Sequence, residues 1–123
     1  MINVVKSIIK KDDKYLLIKR SLDSKFFPSL WDFPGGKIEQ DETAVDAVIR
    51  ETLEETSLDI IPDKIVNEFD FTAKEKSVHA FVFSVKDFSG KVTLSKDHSD
   101  VIWISRDELF DYEVTPVVRM FFQ

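Results

Sequence analysis

The sequence predicts an α+β fold of one domain over residues 1–123, in which a mixed β-sheet lies between helices as an α/β/α sandwich. Three observations favour it: strand-like patterns outnumber helical ones, the longest helical pattern lies mid-chain, and a short helical pattern closes the chain. Helices interspersed among strands pack on the faces of a sheet, because each must bury its apolar side. A chain of 123 residues can bury a core without disulfide bonds.

Two strands open the chain. Residues 3–9 (NVVKSII) and 14–20 (KYLLIKR) are rich in apolar and β-branched residues, and the polar run KKDD at 10–13 predicts a turn between them. Residues 21–30 have no periodic pattern and predict a loop.

The middle of the chain predicts a short strand, a tight turn and the main helix. Residues 31–33 (WDF) form the strand, and Pro-Gly-Gly at 34–36 predicts the turn. The helical pattern runs from about Thr43 to Thr56, and Pro62 prevents it from continuing far beyond that point.

Two longer strands follow at 64–73 (KIVNEFDFTA) and 76–85 (KSVHAFVFSV), and Gly90 ends the region. In the second of them, both sets of alternating residues are largely apolar. We therefore expect both faces of this strand to be covered.

The end of the chain predicts one more strand and two short helices. Residues 100–105 (DVIWIS) form the strand. Residues 106–112 then predict a short helix, with Ser105 as N-cap and Glu108 completing a capping box. Because proline favours the first position of a helix, Pro116 predicts a last helix over 116–122.

Composition narrows the function. The chain has no cysteine, which excludes disulfides and thiolate metal sites and fits a cytoplasmic setting. A net charge of −6 argues against binding to nucleic-acid polymers, whose partners are usually basic. No apolar run approaches the roughly 18 residues of a membrane span, and charge comes too early for a signal peptide. We expect a small-molecule partner that arrives with cations.

Three glutamates crowd the end of the main helix. At about 100° per residue, Glu54 and Glu55 lie within about 60° of Glu51, so all three share one face. The residues expected to pack on the sheet gather roughly opposite, and they are Val45, Val48, Ile49, Thr52 and Leu53. Such glutamates more often form a solvated face. Their mutual repulsion at an already negative helix end would instead be relieved by a hard divalent cation.

The spacing around this cluster resembles the signature of the Nudix hydrolases. The matching pattern is G-x5-E-x7-R-E-x2-E-E, formed by Gly36, Glu42, Arg50, Glu51, Glu54 and Glu55. A strand and a Gly-rich turn lead into the helix, as they do in the family. The resemblance covers the Nudix box at about 36–58 closely and the whole chain in length and element order. It implies a Nudix fold, with the box as a catalytic loop-helix-loop.

The resemblance implies metal-dependent hydrolysis of a nucleoside diphosphate linked to another moiety. The implied ligands of Mg²⁺ or Mn²⁺ are the carboxylates of Glu51, Glu54 and Glu55 and the carbonyl of Gly35. Arg50 would complete the catalytic set by orienting a glutamate, whereas Glu42 and Gly36 would be structural. Either Glu51 or Glu54 would take the proton of the attacking water.

Within the family, the stretch LWDFPGGKIE at 30–39 looks most like the MutT type. That type cleaves nucleoside triphosphates, including oxidised guanine nucleotides, to monophosphate and pyrophosphate. Arg20 resembles an arginine that often meets substrate phosphate in this type. Lys37 and Phe33 are further candidates for substrate binding.

Residues 94–109 resemble the region in which many members supply an acidic loop residue to the metal. Asp97 is the candidate and Asp100 the alternative. His79 and His98 are interpreted as ordinary surface or strand histidines. The aromatic residues that could stack on a base, although strand aromatics mostly form core, are Phe69, Phe71, Phe81 and Trp103.

The box departs from the family pattern at two positions. Thr52 replaces an aliphatic residue, and its methyl group can substitute in part. Ser57 replaces a glycine that plausibly ends the helix in the left-handed conformation. We expect Ser57 to adopt that conformation; the alternative is a negative φ, with the hydroxyl bonded to a carbonyl at the helix end.

Three functional classes stay open at this point. The first is a MutT-like triphosphate pyrophosphohydrolase. The second is a Nudix hydrolase of ADP-ribose, a dinucleotide or a nucleotide sugar. The third is a non-enzymatic nucleotide sensor, which would have no need to keep every carboxylate of the box. The oligomeric state, monomer or homodimer, is equally open.

Overall fold

The computed structural model describes residues 1–123. Eight strands are present: β1 (Ile2–Ile8), β2 (Lys10–Lys11), β3 (Lys14–Arg20), β4 (Trp31–Asp32), β5 (Gly35–Lys37), β6 (Asp59–Ala73), β7 (Lys76–Ser89) and β8 (His98–Ile104). The helices are α1 (Ala44–Thr56), a 3₁₀ helix (Arg106–Asp111) and α2 (Pro116–Phe121). None of the helices is long and apolar enough to cross a membrane.

The strands form two four-stranded sheets. The first has the order β5-β1-β7-β6, with β1 and β7 parallel and the other pairs antiparallel. In the second, β3 pairs with β2, β4 and β8. The mixed sheet predicted from the sequence is therefore confirmed, and its strands are divided between two sheets.

Helices cover both faces of β7, as its sequence predicted. Val82 belongs to a buried cluster that includes Val117 and Val118 of α2. The next residue, Phe83, belongs to a second cluster with Ala47 and Val48 of α1. Because successive strand residues point to opposite faces, β7 lies at the centre of an α/β/α sandwich.

Several predicted boundaries differ from the structure; the last predicted strand, for example, is His98–Ile104 and not 100–105. The turn at 10–13 is confined to Asp12 and Asp13, whose φ angles of 51° and 64° suit a two-residue hairpin. Gly35 and Gly36, predicted as a turn, pair with β1 as a short strand. The strand predicted to begin at 64 begins at Asp59 and passes through Pro62.

Proline is tolerated inside β6 because this strand lies at the edge of its sheet. The pairing with β7 shifts register on both sides of Pro62. A proline cannot donate a ladder hydrogen bond, so strands accommodate it at edges and bulges. β7 itself runs on to Ser89, and Gly90 ends it with φ 108°.

The helix ends agree with the sequence. Thr43 caps α1 by accepting the N–H of Asp46 at 3.1 Å. Ser57 ends it with φ 66°, in the left-handed conformation predicted for it. Ser105 donates its N–H to Glu108 Oε1 at 2.9 Å, which confirms the capping box, although the turn it opens is a 3₁₀ helix.

The buried face of α1 differs from the prediction. Val45 and Leu53 are 46% and 44% exposed, whereas Ala47 is fully buried. The side chains of Glu51 and Glu55 are only 15% and 16% exposed, so they lie within the packed side and not opposite it. Helical spacing shows which residues share a face, but polar partners on the sheet side decide which face turns inward.

The contacts of Thr52 explain why threonine stands where the family pattern has an aliphatic residue. Its side chain is fully buried, and its hydroxyl lies 2.9 Å from that of Ser7 on β1. The Ser7 hydroxyl also donates to the carbonyl of Pro34 at 3.3 Å. Because an aliphatic residue at 52 would leave Ser7 with fewer partners, threonine at 52 matches serine at 7.

Candidate active site

Arg50 is the centre of the box. Its guanidinium donates two bonds to Glu42, from Nε at 2.7 Å and from Nη2 at 2.9 Å. Nη2 also donates to the carbonyl of Lys37 at 3.1 Å. The bonds from Arg50 to Glu42, together with the N–H that Glu39 donates to Glu42 Oε1 at 3.0 Å, lower the pKa of the Glu42 carboxyl to about 2. The two-pronged ion pair fastens the loop before α1 to the helix, which fits the structural role expected of Glu42.

Arg50 also holds two of the predicted metal ligands. Its Nη1 donates to Glu51 Oε1 at 2.9 Å and to Glu54 Oε2 at 3.2 Å. Burial raises the pKa of the Glu51 carboxyl, against the opposing effect of Arg50. Glu54 remains exposed on the outer side of the helix.

Glu55 is about as shielded from solvent as Glu51 and much more so than Glu54. Its Oε1 accepts the N–H of Gly35 at 2.8 Å. Burial raises the pKa of the Glu55 carboxyl to about 8, although Lys6 and the Gly35 bond act in the opposite direction. A carboxylate that is buried with too little positive charge beside it is stabilised by a cation.

The two glycines make room for this arrangement. A β-carbon on Gly35 would lie 1.9 Å from the carbonyl oxygen of Val5, and Gly35 has φ 152°. A β-carbon on Gly36 would lie 2.3 Å from Oε2 of Glu51. Glycine is needed at position 35 because any side chain would collide with the backbone of β1. It is needed at position 36 because a side chain would collide with the carboxylate of Glu51.

The carboxylates of the box suit a hard divalent cation, although no three acidic or histidine side chains stand close enough to form a ready cage. Arg50 draws Glu51 and Glu54 together, while the Gly35 N–H holds Glu55. All the candidate metal-ligating atoms are oxygen atoms, which Mg²⁺ and Mn²⁺ prefer as ligands. Burial raises the pKa of two of these carboxyls, those of Glu51 and Glu55.

A polar hollow opens beside Glu55. Gly35, Gly36, Asp97 and Arg20 are among the residues that line it. Asp100, the alternative to Asp97, lies on β8 and accepts the N–H of Val101 at 2.8 Å. The geometry therefore favours Asp97 over Asp100, and its role at a metal remains a prediction.

A more apolar cleft adjoins this hollow and shares Arg20, Gly35 and Gly36 with it. Arg20 and Lys37, the two predicted phosphate contacts, both line it. Its apolar walls include Phe26, Phe27 and Phe71. Phe71 was among the aromatics considered for base stacking, whereas Phe26 and Phe27 lie in the loop 21–30, to which the sequence assigned no role.

Phe33 does not line this cleft. Its side chain is 1% exposed and packs edge-on against Phe121, with 5.4 Å between ring centroids. Direct substrate contact by the Phe33 side chain is therefore not supported. The reason is strand alternation, which turns Asp32 to the cleft and its neighbour Phe33 to the core.

Three residues that line the cleft, Lys6, Asp32 and Thr115, were not among the predicted site residues. Lys6 Nζ lies 2.7 Å from Asp32 Oδ2, and both side chains are buried. Thr115 donates its hydroxyl to the other oxygen of Asp32 at 2.8 Å. One signal was available: a lysine in the middle of an otherwise apolar strand, NVVKSII, is unusual unless it has a buried partner.

His98 is a strand histidine, as predicted, but it lies at the site. It is buried at the start of β8, with Nε2 3.9 Å from Glu55 Oε2. Burial, together with Arg20 and Lys6, lowers the pKa of His98 to about 4. His79, by contrast, lies away from the cleft, between Asp70 and Glu68 on the first sheet.

Comparison with known proteins agrees with this site. A model of the NUDIX domain matches residues 2–122. The chain is 33% identical to a CTP pyrophosphohydrolase of Escherichia coli (strain K12), over 94% of this chain and 84% of that relative. The crystal structure of a MutT protein from Methanosarcina mazei Go1 is similar, with a TM-score of 0.90 and 34% identity, over 98% of this chain and 89% of that one.

A further relative is a nucleoside triphosphatase, NudI, of Escherichia fergusonii, at 27% identity over 94% of this chain and 90% of that relative. Fold, site and relatives together define a hydrolase of acid anhydrides in phosphorus-containing compounds. The chain belongs to the Nudix family, whose members hydrolyse nucleoside diphosphate derivatives and generally use divalent metals. The family assignment made from the box is confirmed.

Proposed function

We propose that this Nudix hydrolase is a MutT-like pyrophosphohydrolase of nucleoside triphosphates, oxidised guanine nucleotides among them, and requires Mg²⁺ or Mn²⁺. The observation that carries the proposal is the position of Glu51 and Glu55. Both carboxylates are shielded. Glu51 lies against Gly36, and Glu55, which accepts the N–H of Gly35, lines the polar hollow together with Arg20. A relative named for CTP and another named for nucleoside triphosphates support the substrate class.

The metal would be held by oxygen atoms of the box and the adjoining loop. The proposed ligands are Glu51, Glu54, Glu55, the carbonyl of Gly35 and Asp97. When bound, such an ion neutralises phosphate charge and lowers the pKa of a bound water. Arg50 positions Glu51 and Glu54 through the bonds from its Nη1.

The reaction transfers a phosphoryl-linked group to water. If the water oxygen bonds to the phosphorus next to the sugar, pyrophosphate leaves with the bridging oxygen and the monophosphate receives the water oxygen. If the water oxygen bonds to the neighbouring phosphorus, the monophosphate leaves with the bridging oxygen and pyrophosphate receives the water oxygen. Glu51 or Glu54 accepts the proton of the water. Arg20 and Lys37 bind the phosphates, and the apolar wall of the cleft, with Phe71, holds the base.

A panel of nucleotides tests the proposal. The purified protein is incubated with Mg²⁺ and each nucleotide, and the products are separated by chromatography. We expect nucleoside triphosphates, with dGTP or its oxidised form among them, to give monophosphate and pyrophosphate, and ¹⁸O water to show which product takes the label. Orthophosphate as the sole leaving product would exclude the MutT-like reaction.

The same panel contains the competing substrates. Turnover of ADP-ribose to AMP and ribose phosphate, with triphosphates inert, would replace this proposal by a hydrolase of another diphosphate. Tight binding without turnover of any member, in the presence of Mg²⁺ and of Mn²⁺, would indicate the nucleotide sensor.

A further inference from the structure

Lys6 is a buried cation on the floor of the cleft. Its side chain is only 8% exposed, and its neighbours on β1, Val5 and Ser7, are fully buried. The ammonium donates to Asp32 Oδ2 at 2.7 Å and makes a longer contact of 3.5 Å with the carbonyl of Phe33. It lines the cleft beside Gly35, at the end where the cleft meets the carboxylates of α1.

The positive charge here exceeds what Asp32 can neutralise. Oδ2 of Asp32 faces Lys6 at 2.7 Å and Arg20 Nη1 at 3.7 Å, so two cations share one carboxylate. The other oxygen, Oδ1, is occupied by the N–H of Phe33 and the hydroxyl of Thr115. Both oxygens of Asp32 are therefore engaged, and the other carboxylates whose charge interacts with Lys6 are those of Glu51 and Glu55 on α1.

The hydrogen-bonding capacity of Lys6 is not filled by the protein. An ammonium group has three N–H donors, and Lys6 has two acceptors within hydrogen-bond distance, one of them at the limit. The direction of the Arg20 guanidinium is fixed in part by the bond that its Nε donates to the carbonyl of Phe26 at 2.8 Å. Lys6 therefore keeps one donor for a ligand while Asp32 fixes the direction of its side chain.

We propose that Lys6 is a substrate-binding residue that donates a hydrogen bond to a phosphate oxygen of the bound nucleotide, while Asp32 holds its ammonium in place. The inference rests on the proposed function insofar as it takes the anion to be the phosphate chain of a nucleotide. The ammonium of a lysine is a compact point charge, which suits contact with a phosphate oxygen. Arg20 and Lys37 line the same cleft and would contact other phosphate oxygens.

The test compares variants that keep the fold. Lys6→Met alone leaves Asp32 with a weakened counter-charge, so it is paired with Asp32→Asn in a double variant that removes both charges with little change of shape. Asp32→Asn alone, which retains Lys6, is the matched reference, and Lys10→Met on the exposed strand β2 is the surface control. Each variant is checked for an unchanged fold by circular dichroism.

Calorimetry then measures binding of two probes, inorganic pyrophosphate and the nucleoside of the best substrate, in the presence of Mg²⁺. If Lys6 binds phosphate, the double variant binds pyrophosphate at least about tenfold more weakly than Asp32→Asn, because a charge-assisted bond is lost. Nucleoside binding should be equal in the two variants, and KM for the nucleotide should rise in the double variant. Lys10→Met should behave as the wild type.

Two results would overturn the assignment. Equal pyrophosphate affinity in Asp32→Asn and the double variant would mean that Lys6 does not touch phosphate. Parallel loss of pyrophosphate and nucleoside binding, with a lower melting temperature, would mean that Lys6 only supports the fold. Failure of the wild type to hydrolyse any triphosphate would refute the proposed function instead, and the pyrophosphate measurement would still decide the role of Lys6.

Discussion

The carboxylate of Glu51 occupies the space that a side chain at Gly36 would need. A β-carbon there would lie 2.3 Å from Oε2 and 2.5 Å from Cδ of Glu51. The glutamate is a flexible side chain, so an added methyl group would displace it without forcing the backbone to move.

Gly36→Ala should therefore separate activity from stability. We expect kcat to fall by about 10–100-fold, because Glu51 leaves its position, while the denaturation midpoint changes little. Gly35→Ala is the control in the other direction, since its β-carbon meets the Val5 carbonyl and should destabilise the fold strongly. Wild-type kcat in Gly36→Ala would show that the position of Glu51 does not matter.

Divalent metal should be essential. We expect excess EDTA to abolish turnover and Mg²⁺ to restore it, and Glu54→Gln and Glu55→Gln each to lose most of kcat, because an amide oxygen binds a cation less well than a carboxylate does. Asp46→Asn, an exposed acid on the first turn of the same helix, is the matched control and should retain activity. Full turnover in excess EDTA would refute metal dependence.

The contribution of Glu55 to the stability of the metal-free protein should fall as the pH rises. The pKa of the Glu55 carboxyl is about 8 in the fold, against an ordinary value of 4.5, so the folded state binds a proton that the unfolded state releases. This contribution is full below about pH 4.5 and is lost as the pH rises through about pH 8, by at most about 1.4 kcal/mol per pH unit for one proton.

Glu55→Gln isolates this effect. In EDTA, the difference in unfolding free energy between the wild type and Glu55→Gln should grow in favour of the variant between pH 5.5 and pH 8.5. The amide oxygen can still accept the N–H of Gly35, so the variant should be as stable as the wild type at the lower pH. A difference independent of pH would mean that Glu55 is ionised throughout this range.

Ser57 offers a test of backbone strain. A non-glycine residue in the left-handed region costs roughly 1 kcal/mol, whereas the exposed bond from the Ser57 hydroxyl to the Thr93 carbonyl contributes about 0.5 kcal/mol. We expect Ser57→Gly to be more stable than the wild type by about 0.5 kcal/mol, and Ser57→Ala, which keeps the strain and loses the bond, to be less stable. Denaturant midpoints at equal slope measure both, and a glycine variant below the alanine variant would contradict the strain.

Local features of the chain were predictable because local chemistry determines them. Thr43, Ser57 and the Ser105 capping box all lie where capping and turn preferences place them. The spacing of the box likewise indicated the family and its candidate residues. These features depend on contacts between residues that are close in sequence.

Features that depend on distant partners were not predictable. Lys6 and Asp32 lie 26 positions apart, and no local pattern joins them. The carboxylates of Glu51 and Glu55 turn toward the sheet because Gly35 and Arg50 supply hydrogen bonds there, which helical periodicity alone cannot reveal. Phe33 lies in the stretch that resembles the MutT type, which suggested substrate contact. The direction of its side chain depends on how β4 packs against the core, and the motif carries no information about that packing.

The interrupted pairing of β6 also bears on how the molecule behaves among copies of itself. This strand is long, lies at the edge of its sheet, and exposes Ile61, Ile65 and Val66. An uninterrupted apolar edge would be a template on which another chain could add a strand and start aggregation. Proline has no N–H to donate, and the pairing shifts register on both sides of Pro62, so this edge is not an uninterrupted ladder on which a second chain could add a strand.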